Sequence, residues 1–336
     1  MKKIYKNIFC ITEKSFFSKI KPPANIYIVN GEKGIIFDSG YGFFKDIKLF
    51  QKEFQQFKKN TNIYISYIIP SHSHGDHFSG LNKIKKITGG KICLTPKIAS
   101  TIISKKAFIY CYKNSKNSPV TPLIKEKEKT LVSRLWDLGF SSLFGLNFVK
   151  SHDKTIFYND IIEDGKNRWR VLYTPGHCRD HISLYNQKDG VLLGGDNVLN
   201  HIITWLGPPE SDLEIYCSTL KQILNLENLK IILPAHGSPV LDPQKRIREI
   251  LDHRIKKTES VIKIISESNN HIPFNELKSK LYPNRSVWIK SMADGWILST
   301  LEFLIRNRIV KLNADKTISK GNNIKKYRDI IQKLSY

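Results

Sequence analysis

The chain of 336 residues lacks any apolar run near the roughly 20 residues that a transmembrane helix needs. It has only five cysteines, an odd number, and no Cys-x-x-Cys pair. This argues against a disulfide framework or a zinc finger and is typical of proteins in a reducing cytoplasm. A Gly-x-Ser-x-Gly motif, which would indicate a serine nucleophile, is also missing. We therefore expect a cytoplasmic protein without membrane insertion.

Arginine is scarce among the basic residues, with 11 arginines against 43 lysines, and the net charge is +24. Such a charge is typical of proteins that bind nucleic acid, an acidic membrane surface or an acidic partner protein. However, lysine, isoleucine and asparagine are all abundant here, as codon drift in an AT-rich genome would produce. The composition of 40% hydrophobic and 25% charged residues predicts a globular fold and leaves both explanations of the charge open.

Short β-rich runs alternate with helical patterns between residues 25 and 243, which predicts a layered α/β fold. Residues 25–38 (NIYIVNGEKGIIFD) predict a β-hairpin, because Asn30-Gly31 and Lys33-Gly34 are turn formers. A further strand is predicted at IYISYIIP, residues 63–70. Later strands are expected at TIFYN, RWRVLY, HISLYN, GVLL and KIIL.

The alternation is interrupted at residues 103–150, where Leu131, Leu135 and Leu138 predict one apolar face of a helix. This insertion could be a lid or an ordinary helical connection packed on the body. After Pro243, three helical patterns and a β-like tail resemble a winged helix, with a net charge of +11 over residues 245–336. We therefore predict a larger domain over residues 1–244 and a small winged-helix-like domain over residues 245–336.

Residues 71–80 (SHSHGDHFSG) place three histidines and an aspartate directly after a predicted strand. In an extended segment His72 and His74 point the same way, so both can bind one metal ion. Asp76 and His77 follow the bend and can serve a second, neighbouring ion. Neither half-site is complete, because a zinc-like ion needs about four donors.

Three later residues can supply the missing donors, namely His177 in TPGHC, Asp196 in GGD and His236 in PAHG. Each follows an apolar run and is flanked by glycine or proline, as expected for a ligand at a strand end. A lone histidine of this kind is usually a core residue. The ordered series of strand-HxHxDH, strand-H, strand-D and strand-H instead predicts a metal site.

This order and spacing resemble the metallo-β-lactamase-fold hydrolases over roughly residues 20–243. The resemblance implies an αββα sandwich with a dinuclear metal site at one edge and a catalytic domain over residues 1–244. It implies a first metal held by His72, His74 and His177, a second held by Asp76, His77 and His236, and Asp196 bridging both. Zinc is the expected metal, and iron or manganese also suit such ligands.

Within the fold, the chain looks closest to the β-lactamase-like protein 2 branch, which carries a C-terminal winged helix, and glyoxalase II shares the core. True β-lactamases usually lack an aspartate at the bridging place, so Asp196 makes antibiotic hydrolysis an improbable activity.

Four further residues are candidates for roles around the metals. The resemblance to the metallo-β-lactamase-fold hydrolases implies that Asp38 braces the metal-binding loop. His181 either lies behind a ligand, faces the leaving group or is structural. His201 and Trp205 follow Asp196 closely, and both are candidates for lining the pocket.

Two divalent ions that share a water lower its pKa from about 15.7 towards about 7, which gives a hydroxide at neutral pH. Asp76 can orient this nucleophile and accept its proton. We expect hydrolysis of an acyl ester or thioester, linked to a small molecule, to coenzyme A or to an acidic carrier protein that suits the basic surface.

Cleavage of single-stranded RNA, as in the β-lactamase-like protein 2 branch, is the alternative. Only about 40 residues separate Asp196 from His236, so the inserted domain of the large RNA-processing relatives does not fit. A winged-helix module for nucleic acid is a third hypothesis, but the helix predicted after Met292 is mainly apolar. A homodimer is compatible with the sequence.

Overall fold

The computed structural model describes residues 1–13, 23–113, 118–123, 146–268, 271–284 and 286–335. The predicted helix with Leu131, Leu135 and Leu138 lies outside these residues, and with it the central part of the 103–150 insertion.

Twelve strands within the described ranges build two sheets. The first sheet has its strands in chain order: β1 (Lys2–Tyr5), β2 (Ile8–Glu13), β3 (Ala24–Val29), β4 (Gly34–Phe37), β5 (Ile65–Ile69), β6 (Lys91–Leu94) and β7 (Lys154–Thr155). The second sheet runs in the order β12-β11-β10-β9-β8: β8 (Ile161–Glu163), β9 (Arg168–Tyr173), β10 (Ile182–Asn186), β11 (Val191–Gly195) and β12 (Ile231–Pro234).

Helices lie between and after these strands. They are α1 (Phe44–Thr61), α2 (Gly75–Phe78), α3 (Leu81–Thr88), α4 (Pro96–Ile102), α5 (Lys105–Lys113), α6 (Leu213–Leu224), α7 (Pro243–Glu267), α8 (Phe274–Leu281), α9 (Val287–Arg306) and α10 (Tyr327–Ile331). Strands β13 (Val310–Leu312) and β14 (Ile318–Lys320) form a separate antiparallel pair.

The two sheets pack against each other, and the period of two along each strand separates their two faces. Leu184 and Leu193 belong to the core shared with the first sheet, whereas Tyr185 and Leu192 belong to a second core formed with α6, α7 and α9. Helices α1 and α3 pack on the first sheet through residues such as Phe54 and Ile84. The result is the predicted αββα sandwich.

Most local predictions agree with the structure. The hairpin at residues 25–38 forms β3 and β4, with Tyr27 paired to Phe37. The strand predicted at TIFYN was too long, because β7 ends at Thr155. There Asp160 turns the chain by accepting a hydrogen bond from the backbone of Phe157.

After residue 244 the described residues contain α7, α8, α9, the β13–β14 pair and α10. The order of three helices and a hairpin agrees with the sequence pattern, and the winged-helix assignment stays a prediction. Ile250 of α7 and Leu301 of α9 share the second core with Leu192 and Ile232, so this segment packs directly on the second sheet. No helix among the described residues is long and apolar enough to cross a bilayer.

Candidate metal centre

Four strand ends from both sheets meet at one edge of the sandwich. Residues 71–80 follow β5, the last strand before α2. His177 follows β9, Asp196 follows β11 directly and His236 follows β12. Because β11 and β12 are parallel neighbours, their carboxyl ends lie side by side. This topology brings together donors that are as far apart in the sequence as His72 and His236.

All seven predicted ligands lie in two adjacent groups. Within each group the donor atoms lie within 4.8 Å of one another, and the groups are His72, His74, His177 and Asp196, and Asp76, His77 and His236. Asp196 also faces the second group. Its Oδ1 lies 3.4 Å from Nε2 of His236, and its Oδ2 lies 3.5 Å from Nε2 of His177 and 3.7 Å from Nε2 of His77.

The donor atoms fit divalent ions. Nε2 of His72, Nε2 of His77 and Oδ1 of Asp196 are buried and have no hydrogen-bond partner among the described residues. Buried polar atoms almost always have such a partner, so three of them in one cluster need another explanation. Imidazole and carboxylate donors of this number and spacing suit zinc, iron or manganese.

The histidines of the first group are held neutral. Burial, reinforced by the neighbouring His177, lowers the pKa of His74 to about 3. The pKa of His72 also lies well below its ordinary value, through burial and the nearby imidazoles. Neutral imidazole is the form that binds a metal ion, so these side chains need not lose a proton before they bind one.

The second group has the opposite electrostatics. Burial lowers the pKa of His236, but the carboxylates of Asp196 and Asp76 outweigh it and raise that pKa to about 9. For His77 burial is likewise outweighed, by Asp38 first and then by Asp76 and Asp196, so its pKa lies well above the ordinary value. Carboxylates and imidazoles therefore neutralise each other at this end of the site.

Asp38 lies behind the histidine loop. Its Oδ1 accepts a hydrogen bond of 2.7 Å from the backbone of Ser71, and its Oδ2 lies 3.1 Å from Nδ1 of His77. An imidazole that donates through Nδ1 turns its Nε2 towards the site, which is the usual arrangement behind a metal-binding histidine.

His181 is fully buried behind Asp196. The Asp196 backbone N–H donates to Nε2 of His181 at 3.1 Å, and Nδ1 of His181 lies 2.9 Å from the Thr174 hydroxyl. In this position His181 holds the backbone of Asp196.

The two pocket candidates differ in position. Trp205 is 51% exposed, and its carbonyl oxygen accepts a hydrogen bond of 2.8 Å from Nδ1 of His177. His201 is also exposed, but its contact is with the hydroxyl of Ser238 at 3.0 Å. Trp205 is therefore joined directly to a predicted ligand, whereas His201 lies beside the chain that follows His236.

The sequence pattern of the Metallo-beta-lactamase superfamily matches residues 21–236, more than half of the chain. The chain belongs to this superfamily. Its class as a metal-dependent hydrolase follows from that membership, whereas the substrate does not.

Relatives include the Beta-lactamase-like protein 2 homolog of Caenorhabditis elegans, 27% identical over 289 residues, which are 85% of this chain and 80% of that protein. The Atrochrysone carboxyl ACP thioesterase of Aspergillus chevalieri is 26% identical over 245 residues, 73% of this chain and 61% of that protein. The chain thus spans most of the nematode protein but about three fifths of this fungal relative.

Solved structures of the superfamily share the fold. A beta-lactamase domain protein from Burkholderia ambifaria has a TM-score of 0.72 at 16% identity, over 95% of this chain and 93% of that one. A metallo-beta-lactamase family protein from Thermus thermophilus has a TM-score of 0.69 at 16% identity, over 94% of this chain and 98% of that one.

Two residues near the candidate metal centre were not anticipated from the sequence. Tyr41 is buried, and its hydroxyl is hydrogen-bonded to Asp76. The loop that carries Tyr41 is held by Glu13, whose carboxylate accepts the backbone N–H groups of Tyr41 and Gly42. A glutamate at the end of an N-terminal β-rich run gives no local signal of this contact.

Proposed function

We propose that this chain is a dinuclear-metal hydrolase of acyl esters or thioesters, with the acyl group linked to a small molecule, to coenzyme A or to an acidic carrier protein. The observation that carries the proposal is Trp205. Trp205 is half-exposed, and its backbone carbonyl accepts a hydrogen bond from Nδ1 of His177, so one residue offers apolar surface to solvent and contacts a proposed ligand. An acyl chain can bury itself against such a surface. The thioesterase among the relatives supports the same choice.

The proposed ligand sets are His72, His74 and His177 for one ion and Asp76, His77 and His236 for the other, with Asp196 between them. Two bound divalent ions would supply Lewis acidity, polarising a carbonyl oxygen and making a water acidic near neutral pH.

Asp76 is the proposed proton acceptor. Its side chain is 18% exposed, against 11% for Asp196, so solvent and substrate can reach it more easily. Its Oδ2 lies 3.4 Å from Nε2 of His236. The Tyr41 hydroxyl is also hydrogen-bonded to this carboxylate. Asp76 can thus orient a water, accept its proton and pass that proton to the leaving group.

Cleavage of single-stranded RNA is the second candidate, and one surface favours it. The rings of Tyr158 and Tyr173 stack with centroids 4.3 Å apart. Nζ of Lys97 lies 3.2 Å from the Tyr173 hydroxyl and 2.7 Å from the carbonyl of Arg179. Tyr158 is exposed and Tyr173 is half-buried, and accessible aromatic rings beside cations are typical of surfaces that bind single strands. This surface lies at the end of β9, four residues before His177.

We also propose that the catalytic domain ends near residue 244 and that residues 245–336 form a winged-helix-like unit attached to it. The order of α7, α8, α9 and the β13–β14 pair supports this division.

The first experiment compares hydrolysis of acyl-coenzyme A thioesters with cleavage of a labelled single-stranded RNA, using metal-replete protein. We expect thioester hydrolysis that Asp76→Ala reduces at least about 100-fold, the scale of a lost general base. RNA cleavage with intact thioesters would establish the second candidate instead, and activity on neither substrate would overturn the proposal.

A pair of surface variants tests whether Trp205 or the aromatic stack binds the acyl thioester. Trp205→Ala should raise KM for long-chain acyl thioesters about 10-fold, since losing a partly buried aromatic contact costs roughly 1.4 kcal/mol. Tyr158→Ala should leave KM for these thioesters unchanged. If Tyr158→Ala alone weakens turnover, the aromatic stack and not Trp205 binds the substrate.

A further inference from the structure

Arg254 occupies an unusual place on helix α7. The buried face of this helix recurs every three or four residues through Ile247, Ile250, Leu251, Thr258 and Val261, and Arg254 lies in the middle of that face. A surface helix normally keeps such a stripe apolar. The residue also lies beyond residue 236, where the match to the superfamily ends.

The guanidinium of Arg254 is buried without a carboxylate. Arg254 is 5% exposed, and no ion pair among the described residues includes it. Its Nη2 donates to the carbonyl of Thr204, its Cζ lies 5.5 Å from the ring centroid of Tyr216, and its Nε has no partner among the described residues. Burying a charge without a counter-ion costs several kcal/mol, so this arrangement opposes stability and calls for another explanation.

The groups that Arg254 contacts are those that hold the ligand loop. The hydroxyl of Thr204 donates to the carbonyl of Asp196. The next residue, Trp205, accepts the hydrogen bond from Nδ1 of His177. Arg254 therefore fixes a peptide that contacts two of the proposed ligands, one on each side.

A second route runs from Arg254 through Tyr216. The Tyr216 hydroxyl donates to the carbonyl of Asn197 at 2.7 Å. Asn197 directly follows Asp196 and reaches back to the carbonyl of Thr174 at 2.7 Å. Both ends of the loop from residue 196 to residue 205 are thus held by groups that contact one side chain of α7.

Helix α9 contacts the same loop. A Cβ added at Gly295 would lie 2.5 Å from the carbonyl oxygen of Leu206 and 2.8 Å from Cε2 of Trp205. The helix therefore approaches the loop as closely as a glycine allows.

We propose that Arg254 is a positioning residue, through which the C-terminal helices orient His177 and Asp196 in the metal centre. The proposal rests on the ligand assignment of the proposed function. Removing a partner that orients a ligand typically costs about 10–100-fold in metal affinity. We expect a loss of this size when the guanidinium is removed, although Arg254 touches no ligand itself.

The test compares Arg254→Met with Arg246→Met in the full chain. Arg246 lies two turns earlier on α7 and donates to the carbonyls of Leu199 and Ile202, in the same loop but away from the ligands. Zinc affinity is measured by competition with a chelating indicator, and ligand geometry by the visible spectrum of the cobalt-substituted protein. We expect a roughly 10–100-fold weaker zinc affinity and an altered cobalt spectrum for Arg254→Met, with Arg246→Met within about threefold of wild type.

Equal affinities and spectra for wild type and Arg254→Met would overturn the proposal, as would equal losses in both variants, because a general packing defect affects both. Wild-type protein that binds no zinc would instead contradict the ligand assignment. If Arg254→Met does not fold, Tyr216→Phe tests the second route, since it keeps the ring and removes the hydroxyl bonded to Asn197. We expect this variant to show the same spectral change with about a threefold to tenfold loss of affinity, the scale of one hydrogen bond.

Discussion

Titratable side chains around the site divide into those that offer candidate donor atoms and those that hold the backbone of the loops. His72 and Asp196 belong to the first kind, and the sequence motif identifies them. Glu13 belongs to the second kind. It is 2% exposed and accepts backbone N–H groups of the loop that carries Tyr41. The chemistry of such a residue appears only when its neighbours are known.

Glu13 makes stability depend on pH. Burial, reinforced by Asp46, raises its pKa to about 8, although the backbone N–H groups of Tyr41, Gly42 and Phe43 oppose this. The folded chain therefore binds the proton more tightly than the unfolded chain, whose glutamate has a pKa of about 4.3. This contribution to the free energy of unfolding is complete below about pH 4 and is lost as the pH rises through about 8.

We expect Glu13→Gln to flatten the fall of the free energy of unfolding between about pH 5 and pH 8. Urea unfolding at a series of pH values, with saturating metal, measures the free energy of unfolding as a function of pH. Glu163→Gln, which changes an exposed carboxyl in β8, is the control and should reproduce the wild-type profile. Parallel profiles for Glu13→Gln and wild type would show that Glu13 does not carry this dependence.

At the scale of elements, strand ends place the donors, and the loops after them are locked together. The backbone N–H of Ile182 at the start of β10 donates to the carbonyl of Ser71 at 2.8 Å. Gly195, the last residue of β11, has a φ of 55° and lies against His181 and Ser71. A side chain at Gly195 would overlap Nε2 of His181, the atom that accepts the hydrogen bond from Asp196.

Gly195→Ala should therefore do more than strain the backbone. Gly89→Ala is the matched control, because Gly89 has a φ of 78° and nothing within 4 Å of an added Cβ. We expect roughly 1–2 kcal/mol of lost stability from the left-handed conformation in both variants. Only Gly195→Ala should lose roughly a further 1–3 kcal/mol through the overlap and also bind zinc more weakly. Chemical denaturation and zinc titration of the pair measure this, and equal effects would contradict the proposed packing.

For the whole molecule, the candidate metal centre contains residues from both sheets. His72, His74, Asp76 and His77 follow a strand of the first sheet, whereas the other three proposed ligands follow strands of the second. A metal ion bound by the proposed ligands would hold the sandwich together at this edge, and its binding free energy would add to the stability of the fold.

Metal removal should consequently destabilise the whole chain. With free zinc at about 100 times its Kd, binding contributes about 2.7 kcal/mol to the free energy of unfolding, and a chelator removes that contribution. Thermal unfolding with and without chelator measures the difference. His236→Ala should reduce the effect of the chelator, whereas His201→Ala, on the surface beside Ser238, should retain it. A melting temperature that does not respond to chelation in wild type would contradict a metal between the sheets.

The sequence by itself determined a layered α/β fold and the seven candidate donors at strand ends, because ligand type and strand periodicity are local properties of the chain. The αββα arrangement was expected only from the resemblance to a known family. Only the tertiary structure decided how Tyr41, Thr204 and Arg254 relate to those donors. The bond from Arg254 to Thr204 joins positions 50 residues apart. An arginine on a helix normally faces solvent, so the sequence suggests no such bond. The contact exists because α7 packs on the second sheet, and that packing depends on the whole fold.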